Sequence, residues 1–158
     1  MATVKLPIEG SCQCGALRYE INAAPMGIYC CHCTNCQKIT GSAFVLSAAV
    51  PEPAFAFTHG KPGKTEWRSD AGNSRYGHYC RDCGCRIAHG QTPSIGVLSV
   101  RAGTFDDTSW IAPAGHIWTR SAQPWIRFHE DDIIEERQPK DYMNMIERFQ
   151  KMHTFTHA

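Results

Sequence analysis

The stretch CRDCGC, residues 80–85, carries a C-x-x-C pair, Cys80 and Cys83, and the distant stretch CQCG, residues 12–15, carries a C-x-C pair, Cys12 and Cys14. On an extended chain both sulfurs of a C-x-C pair face the same side, because side chains alternate with a period of two. A C-x-x-C turn also directs two sulfurs inward. Zinc takes four such ligands in a tetrahedron, with Zn–S near ~2.3 Å. The two pairs therefore predict a closed, structural zinc site that joins the two halves of the sheet.

A glycine follows each pair, Gly15 after Cys14 and Gly84 after Cys83. Both positions suit a tight turn with positive φ, which glycine adopts at the lowest cost. Cys85 has no evident partner and competes with Cys80 or Cys83 in an alternative C-x-C pair. We keep Cys83 as the ligand and interpret Cys85 as a spare cysteine.

A third group of cysteines lies in CCHCTNC, residues 30–36. Cys31, Cys33 and Cys36 offer three thiolates from one short loop, and three protein ligands with an exchangeable fourth position are typical of catalytic zinc. Three thiolates make the metal a weaker Lewis acid than three imidazoles do. The site therefore suits a soft ligand such as an incoming thiol better than it suits water activation. We expect a thiol bound there to add to a small aldehyde, or the reverse elimination to occur.

Two residues inside this group are not predicted to be ligands. Neighbours on an extended segment face opposite ways, so Cys30 is expected to be a small buried apolar residue. His32 lies between two ligands and should face away from them, which predicts a hydrogen-bonded supporting role or a packing role rather than a general base.

Length and composition set limits on the class of protein. The 158 residues fit one domain, which is long enough to bury a core without covalent help. A hydrophobic content of 42%, a charged content of 20% and a net charge of +1 are ordinary for a soluble globular protein. The lack of a basic surplus argues against a nucleic-acid partner.

The sequence also predicts a compartment. The N-terminus MATVKLPIEG has no signal-peptide core, and no run of about 18 apolar residues predicts a membrane span, so we expect a cytoplasmic protein. A reducing cytosol disfavours disulfides, and nine cysteines cannot all pair within one chain. Metal ligation or thiol chemistry is therefore preferred to a disulfide framework.

Short apolar or alternating runs bounded by Gly, Pro and Asn predict an all-β domain of short strands, with no helix of ordinary length before residue 138. The runs are ALRYEI (16–21), AFVLSAAV (43–50), AFAFTH (54–59), SRYGHYC (74–80), SIGVLSV (94–100), HIWTRS (116–121) and WIRF (125–128). We expect the four tryptophans to pack in the core or on a sheet face. They are Trp67, Trp110, Trp118 and Trp125.

An amphipathic helix is predicted near the C-terminus. Pro139 and Asp141 are start signals. Apolar residues then follow at helical spacing, and the stripe is expected to pack on the sheet. The stripe consists of Tyr142, Met145, Ile146, Phe149 and Met152. The preceding acidic run EDDIIEE, residues 130–136, is interpreted as a solvated turn.

Taken together, GSCQCGALRYE (10–20), CHCTNCQK (31–38), YCRDCGCRI (79–87) and GHIWTRSAQPW (115–125) resemble the glutathione-dependent formaldehyde-activating enzyme family, which shares its domain with centromere protein V. The resemblance covers residues 8–128. It implies a mainly β, Mss4-like zinc-binding fold of short antiparallel strands. Residues 129–158 then form a C-terminal helical extension.

The resemblance also implies two zinc ions per chain and an activity. It implies a structural zinc at Cys12, Cys14, Cys80 and Cys83 and a catalytic zinc at Cys31, Cys33 and Cys36, the same division that the spacing predicts. The implied activity is that of a carbon–sulfur lyase. It reversibly adds a thiol such as glutathione to formaldehyde, or to another small aldehyde, and gives S-(hydroxymethyl)glutathione with these two substrates.

A glutathione site needs cations for two carboxylates, and Arg and Lys are the usual partners. Asp106 and Asp107 are expected to shape a turn rather than to act as acid or base. The candidate cations are Lys38, Arg75, Arg101 and Arg120.

Two other classes of function stay open at this point. One is a non-catalytic zinc module of the Mss4 or centromere-protein kind that binds a macromolecule; a long basic tail would favour it, and the chain has none. The other is a zinc or redox store in which the spare Cys30 and Cys85 are the reactive thiols.

Overall fold

The computed structural model describes residues 2–69 and 72–157, and these form a mainly β structure, as the sequence predicts. The strands of this part of the chain are β1 (Ala2–Leu6), β2 (Ile8–Ser11), β3 (Arg18–Ile21), β4 (Gly27–Cys31), β5 (Val45–Pro51), β6 (Phe55–His59), β7 (Gly63–Arg68), β8 (Ser74–Tyr79), β9 (Arg86–Thr92), β10 (Val97–Arg101), β11 (Gly115–Ile117), β12 (Ile133–Ile134) and β13 (His153–His157).

These strands form one large sheet and two small ones within the described residues. The large sheet has the order β12-β11-β4-β5-β10-β9-β8-β7, a second sheet has the order β2-β3-β6, and β1 pairs with β13. The buried core contains side chains from all three sheets, including Leu6, Tyr19 and Val50.

Most of the predicted runs form strands because alternate side chains reach this core. On β3, for example, Tyr19 and Ile21 are buried while Arg18 and Glu20 are only half-buried. The runs at 16–21, 43–50, 54–59, 74–80 and 94–100 overlap β3, β5, β6, β8 and β10, respectively.

Two of the later runs differ from the prediction. HIWTRS gives only part of β11, followed by a 3₁₀ turn at Thr119–Ser121. The prediction of a strand for WIRF is wrong, because residues 125–128 form no strand. Trp125 is 64% exposed, so its expected core or sheet-face packing is also wrong. The residue lies in a turn outside the strands, and its Nε1 donates a hydrogen bond to Gln123 Oε1 at 2.7 Å.

The strands are not all antiparallel. β11 runs parallel to both β4 and β12, and β13 runs parallel to β1. The register of β11 sets His116 beside Cys30 and Ile117 beside Cys31. The last third of the chain therefore supports the segment that carries the middle cysteine group.

The predicted C-terminal helix is present as α2 (Met143–Met152). Asp141 Oδ1 accepts a hydrogen bond from the Met143 N–H at 2.9 Å, as expected of a start signal. Met145 and Phe149 are buried against the core. The helix then continues directly into β13, which returns alongside β1. The division into residues 8–128 and 129–158 stays a prediction.

A short helix, α1 (Thr34–Thr40), lies inside the middle cysteine group. Its seven residues make it shorter than an ordinary helix. Neither charge nor apolar periodicity in the sequence predicts it. In the part of the chain that the structure describes, no helix combines the length and the apolar character needed to cross a membrane.

Truncation of Phe149 tests the packing of α2. Phe149 is 0% exposed, so Phe149→Ala leaves a cavity and should lower the free energy of unfolding by about 3–5 kcal/mol. Met143→Ala is the matched control on the same helix, because Met143 is 52% exposed and its truncation should change stability by less than about 0.5 kcal/mol. Urea denaturation measures both. Equal losses in the two variants would contradict the packing.

Candidate metal centres and active-site cavity

The first and third cysteine groups come together in the structure. The sulfurs of Cys12, Cys14, Cys80 and Cys83 all lie within 4.8 Å of one another. Cys12 Sγ is 3.6 Å from Cys14 Sγ, which is 3.8 Å from Cys80 Sγ. Four soft sulfur donors at this spacing suit a tetrahedral dication such as zinc. We call this group the four-cysteine cluster.

Two tight turns hold these sulfurs in place. One follows β2 and has Gly15 at φ 77°, and the other follows β8 and has Gly84 at φ 74°. The Gly15 N–H bonds the Cys12 carbonyl at 3.0 Å, and the Gly84 N–H bonds the Cys80 carbonyl at 2.9 Å. A side chain at either position would strain the backbone, so the glycines have the role that the sequence predicts.

Backbone donors favour the ionised form of Cys12 and Cys83, whereas contact with these two thiols raises the pKa of Cys14. The Leu17 N–H points at Cys12 Sγ at 3.2 Å. The pKa of Cys83 is lowered to about 6, chiefly by the backbone N–H groups of Cys85 and Cys14. Thiolate is the form that binds metal, so the turns prepare the cluster for a cation.

The middle group forms a second set of converging sulfurs. Cys31 ends β4, Cys33 is the N-cap of α1, and Cys36 lies in the first turn, with all three sulfurs within 4.8 Å of one another. Cys33 Sγ accepts a hydrogen bond from the Cys36 N–H at 3.4 Å. The spacing of CHCTNC thus becomes a compact site because a helix begins at Cys33. We call it the three-cysteine cluster.

The charge distribution of this cluster is uneven. Hydrogen bonds from Cys31 and Cys36 lower the pKa of Cys33 to about 2, and the same contact with Cys33 raises the pKa of Cys31. The isolated cluster thus holds one negative charge readily and resists further ones, because like charges this close repel. A dication would offset that repulsion, so the donor set fits a metal with a fourth position open to the cavity described below.

Cys30 and Cys85 lie outside both clusters, as the sequence predicts. Cys30 is 3% exposed, and burial raises its pKa to about 12. Burial likewise raises the pKa of Cys85, which is half-buried. In residues 2–69 and 72–157, the two clusters are the groups of three or more candidate ligands that share one site.

His32 is fully buried and hydrogen-bonded away from the three-cysteine cluster. Its Nε2 lies 3.0 Å from His116 Nδ1, and His116 Nε2 lies 3.5 Å from Asp132 Oδ2. The His32 carbonyl accepts hydrogen bonds from Gln37 Nε2 and Ser121 Oγ, at 2.8 and 3.0 Å. These contacts fix the backbone between two of the cysteines.

Sequence reasoning missed His116 and Asp132 as parts of this network. Both lie far along the chain from His32, and Asp132 belongs to the acidic run that was interpreted as a solvated turn. The GHIW motif was the available signal for His116, but its partner depends on the parallel pairing of β11 with β4, which no local pattern specifies.

A large cavity of about 840 Å³ opens beside the three-cysteine cluster, and all three of its cysteines line it. We call it the basic cavity because six cationic side chains lie on its wall. Four of these are the candidates that the sequence provides, whereas Arg68 and Arg86 were missed. The six are Lys38, Arg68, Arg75, Arg86, Arg101 and Arg120.

Within the described residues, these cations lack carboxylate partners. Arg101 is 7% exposed, its Nη1 reaches Ser47 Oγ at 3.4 Å, and its Nε has no hydrogen-bond partner. Arg86 Nη1 is likewise buried without a partner. Glu66, the carboxylate on this wall, is bound to Lys64 at 2.7 Å. A buried cation with free donors favours an anionic ligand.

The remaining tryptophans divide between the core and the cavity. Trp110 packs in the core and stacks on Phe105 with ring centroids 5.8 Å apart. Trp67 and Trp118 are half-buried and line the basic cavity. Arg86 lies over the Trp67 ring at 5.3 Å, and Arg120 lies over the Trp118 ring at 5.2 Å. The sequence predicts that Trp67 and Trp118 are packing residues, and the structure shows that they also line the basic cavity.

The two aspartates of GTFDDTSW have structural contacts. Asp107 Oδ1 accepts hydrogen bonds from the Ser109 N–H at 2.9 Å and from its hydroxyl at 2.7 Å, which closes a turn. Asp106 binds Arg18 at 2.6 Å. Neither lines the basic cavity.

The fold and the clusters describe a class of protein, a mainly β cysteine-rich domain with two potential metal sites, one of which opens onto a cavity. Residues 7–121 match the model of the family described as "Glutathione-dependent formaldehyde-activating enzyme". This match covers most of the chain, and the protein belongs to that family, which confirms the resemblance.

Other comparisons add only the fold. A crystal structure of a Rhodobacter sphaeroides protein superposes with a TM-score of 0.50 and 18% sequence identity, over 63% of this chain and 88% of that chain. A comparison with curated proteins gives no match.

Removal of two ligands tests the four-cysteine cluster. The double variant Cys12→Ala, Cys83→Ala should lose one metal ion per chain and melt lower by about 10 °C or more, because metal binding to a closed site is coupled to folding. Metal analysis and thermal melting measure the two effects. Cys85→Ala is the matched control and should keep the full metal content. An unchanged melting transition in the double variant would refute the structural role.

Proposed function

We propose that this protein is a zinc-dependent carbon–sulfur lyase of the formaldehyde-activating type. It reversibly adds a thiol such as glutathione to formaldehyde or to another small aldehyde. The observation that carries the proposal is the position of the three-cysteine cluster on the wall of a deep basic cavity. A metal-binding group of soft donors beside unpaired buried cations suits an anionic thiol.

We assign two zinc ions per chain. Cys12, Cys14, Cys80 and Cys83 would hold a structural ion, and Cys31, Cys33 and Cys36 would hold a catalytic one. When bound at the second site, zinc stabilises a thiolate at neutral pH and leaves it nucleophilic.

The side chains of the protein bind and orient the substrates. Arg101 and its neighbouring arginines take the carboxylates of the thiol, and their planar guanidinium groups allow two parallel hydrogen bonds to each carboxylate. Trp67 and Trp118 cover the cavity wall and exclude water. The hydrogen bonds to the His32 carbonyl keep the cysteine loop in one geometry, so the sulfur approaches the aldehyde from a fixed direction.

The reaction needs no redox partner. The sulfur forms a bond to the carbonyl carbon, the π pair of the carbonyl moves to its oxygen, and that oxygen takes a proton equivalent to the one that the thiol lost. The reverse elimination regenerates thiol and aldehyde.

Two other functions are less well supported. A macromolecular binding module would not need a buried arginine with an unpaired donor on a cavity wall, and a net charge of +1 gives no electrostatic footprint for nucleic acid. A redox store would need accessible low-pKa thiols, whereas burial raises the pKa of Cys30 and Cys85. We place the protein in the cytoplasm, where thiol substrates stay reduced.

Metal content in the presence of thiol tests the second site. Protein purified without thiol should contain two zinc ions per chain. Excess glutathione should shift the visible spectrum of a cobalt-substituted second site, or lower the zinc content towards one. Cys36→Ala should abolish the response and lower kcat/KM by about a hundredfold or more, whereas Cys30→Ala, outside the cluster, should retain the response. Two zinc ions and no response to any thiol would favour the binding module.

Replacement of Arg101 tests the binding of the anionic thiol. Arg101→Met keeps an unbranched apolar stem and removes the charged guanidinium group, so the KM for glutathione should rise by about tenfold or more. The KM for the neutral thiol 2-mercaptoethanol should change by less than about twofold.

Arg81→Met provides the control for this replacement, because Arg81 is exposed and lies outside the cavity. Steady-state kinetics with both thiols measure the difference. An equal change for the charged and the neutral thiol would argue against carboxylate recognition by Arg101.

A further inference from the structure

A second cavity, of about 270 Å³, adjoins the basic cavity between the large sheet and the C-terminal helix. The side chains that line this cavity and not the basic cavity are apolar, apart from the hydroxyl of Tyr142. We call it the apolar pocket. Its walls include Ala49 on β5, Val97 on β10, and Tyr142, Met145 and Ile146 at the start of α2.

The apolar pocket is continuous with the basic cavity. Five residues line both spaces: Tyr29, Arg75, His89, Ser99 and Gln138. Gln138 Oε1 accepts a hydrogen bond from Trp118 Nε1 at 3.0 Å, and its Nε2 donates to Tyr142 Oη at 2.5 Å. Gln138 thus connects a tryptophan of the basic cavity with an aromatic wall of the apolar pocket.

Apart from the Tyr142 hydroxyl, the polar side chains of the apolar pocket lie at this boundary, and Arg75 is the cation among them. Tyr29 Oη and Ser99 Oγ bond each other at 3.2 Å, and burial lowers the pKa of His89 to about 3, which leaves that ring neutral. Beyond the boundary the walls offer dispersion contacts and almost no partners for charge. A charged group would lose its hydration there without compensation, so the pocket suits an uncharged apolar group.

The basic cavity and the apolar pocket differ in charge, and the two substrates of the proposed reaction differ in the same way. The arginines of the basic cavity hold an anionic thiol. The apolar pocket is then the space that suits the uncharged substrate, which is the aldehyde. Formaldehyde has no substituent to place there. A cavity of about 150 Å³ is enough to hold a benzene ring, so the apolar pocket is large enough for an aromatic or branched aliphatic group.

We propose that the apolar pocket binds the side chain of the aldehyde, and that the carbonyl substrate is an aldehyde with an aromatic or branched aliphatic substituent. This inference rests on the proposed function. The product is a hemithioacetal that contains every atom of the thiol and the aldehyde, so no oxidant or reductant is needed.

Part of this pocket comes from outside the matched family region. Gln138, Tyr142, Met145 and Ile146 follow residue 121, where the family match ends. The C-terminal segment can therefore select the aldehyde while both cysteine clusters stay unchanged.

A cavity-filling variant provides the kinetic test. Ala49→Leu should lower kcat/KM for phenylacetaldehyde and 3-methylbutanal by about tenfold more than it lowers kcat/KM for formaldehyde, with glutathione as the thiol. Comparison of each aldehyde with itself cancels differences in intrinsic reactivity. Exchange NMR between free and adducted thiol measures the rates. Ala56→Leu, on the exposed side of β6, is the matched control and should leave all three rates unchanged.

A binding measurement gives a readout independent of turnover. Benzyl alcohol, an unreactive probe, should show saturation-transfer NMR signals with the wild-type holoprotein and weaker signals with Ala49→Leu. Absent binding to the wild type, or equal binding to both proteins, would overturn the inference.

The remaining outcomes separate the inference from the proposed function. If formaldehyde reacts and Ala49→Leu affects all aldehydes equally, the inference fails and the proposed function stands. If Ala49→Leu instead impairs only a neutral aromatic thiol such as benzyl mercaptan, the pocket belongs to the thiol and the inference also fails. If no aldehyde reacts with any thiol, the proposed function fails and the assignment of the pocket to an aldehyde fails with it.

Discussion

Four cysteine sulfurs within 4.8 Å of one another bring two distant parts of the chain together. Two of them follow β2 of the three-stranded sheet and two follow β8 of the eight-stranded sheet, so the cluster connects the two layers of the domain. Thiolates at this distance repel one another unless a cation lies between them. A metal there would close a long loop of chain, which removes much of the conformational freedom of the unfolded state.

The three-cysteine cluster is held in place by contacts from α1 and from the later part of the chain. It lies between β4 and α1. Gln37 from the helix and Ser121 from the later part of the chain bond its backbone at the His32 carbonyl, and His116 bonds the His32 side chain. Asp132 extends this support towards α2 through Arg148, at 3.8 Å. The cluster is therefore held between the central sheet and the C-terminal segment.

The surroundings of this cluster combine two kinds of surface. Arginines without carboxylate partners among the described residues, of which Arg101 is buried, line the same cavity as the sulfurs, and an apolar pocket continues from it. Unpaired buried cations destabilise a folded protein unless a ligand offsets them, so they indicate a site for binding rather than for stability. The combination suits two substrates of different polarity that meet at a sulfur-rich centre.

Sequence patterns predict the mainly β class, the C-terminal helix, the grouping of seven cysteines into two clusters and four of the six cavity cations. The strands, the helix and each cysteine pair follow from local spacing, because side-chain alternation, turn glycines and helical periodicity act over a few residues. The joining of the two distant cysteine pairs follows from the four ligands that zinc requires, and the cations follow from residue type. Long-range packing sets the parallel pairing of β11 with β4, the link from His32 to Asp132 and the exposure of Trp125. It also sets the positions of Arg68 and Arg86 on the cavity wall and forms the apolar pocket beside α2. Each of these depends on which distant segments come into contact, and that outcome is set by the packing of the whole chain rather than by any short pattern within it.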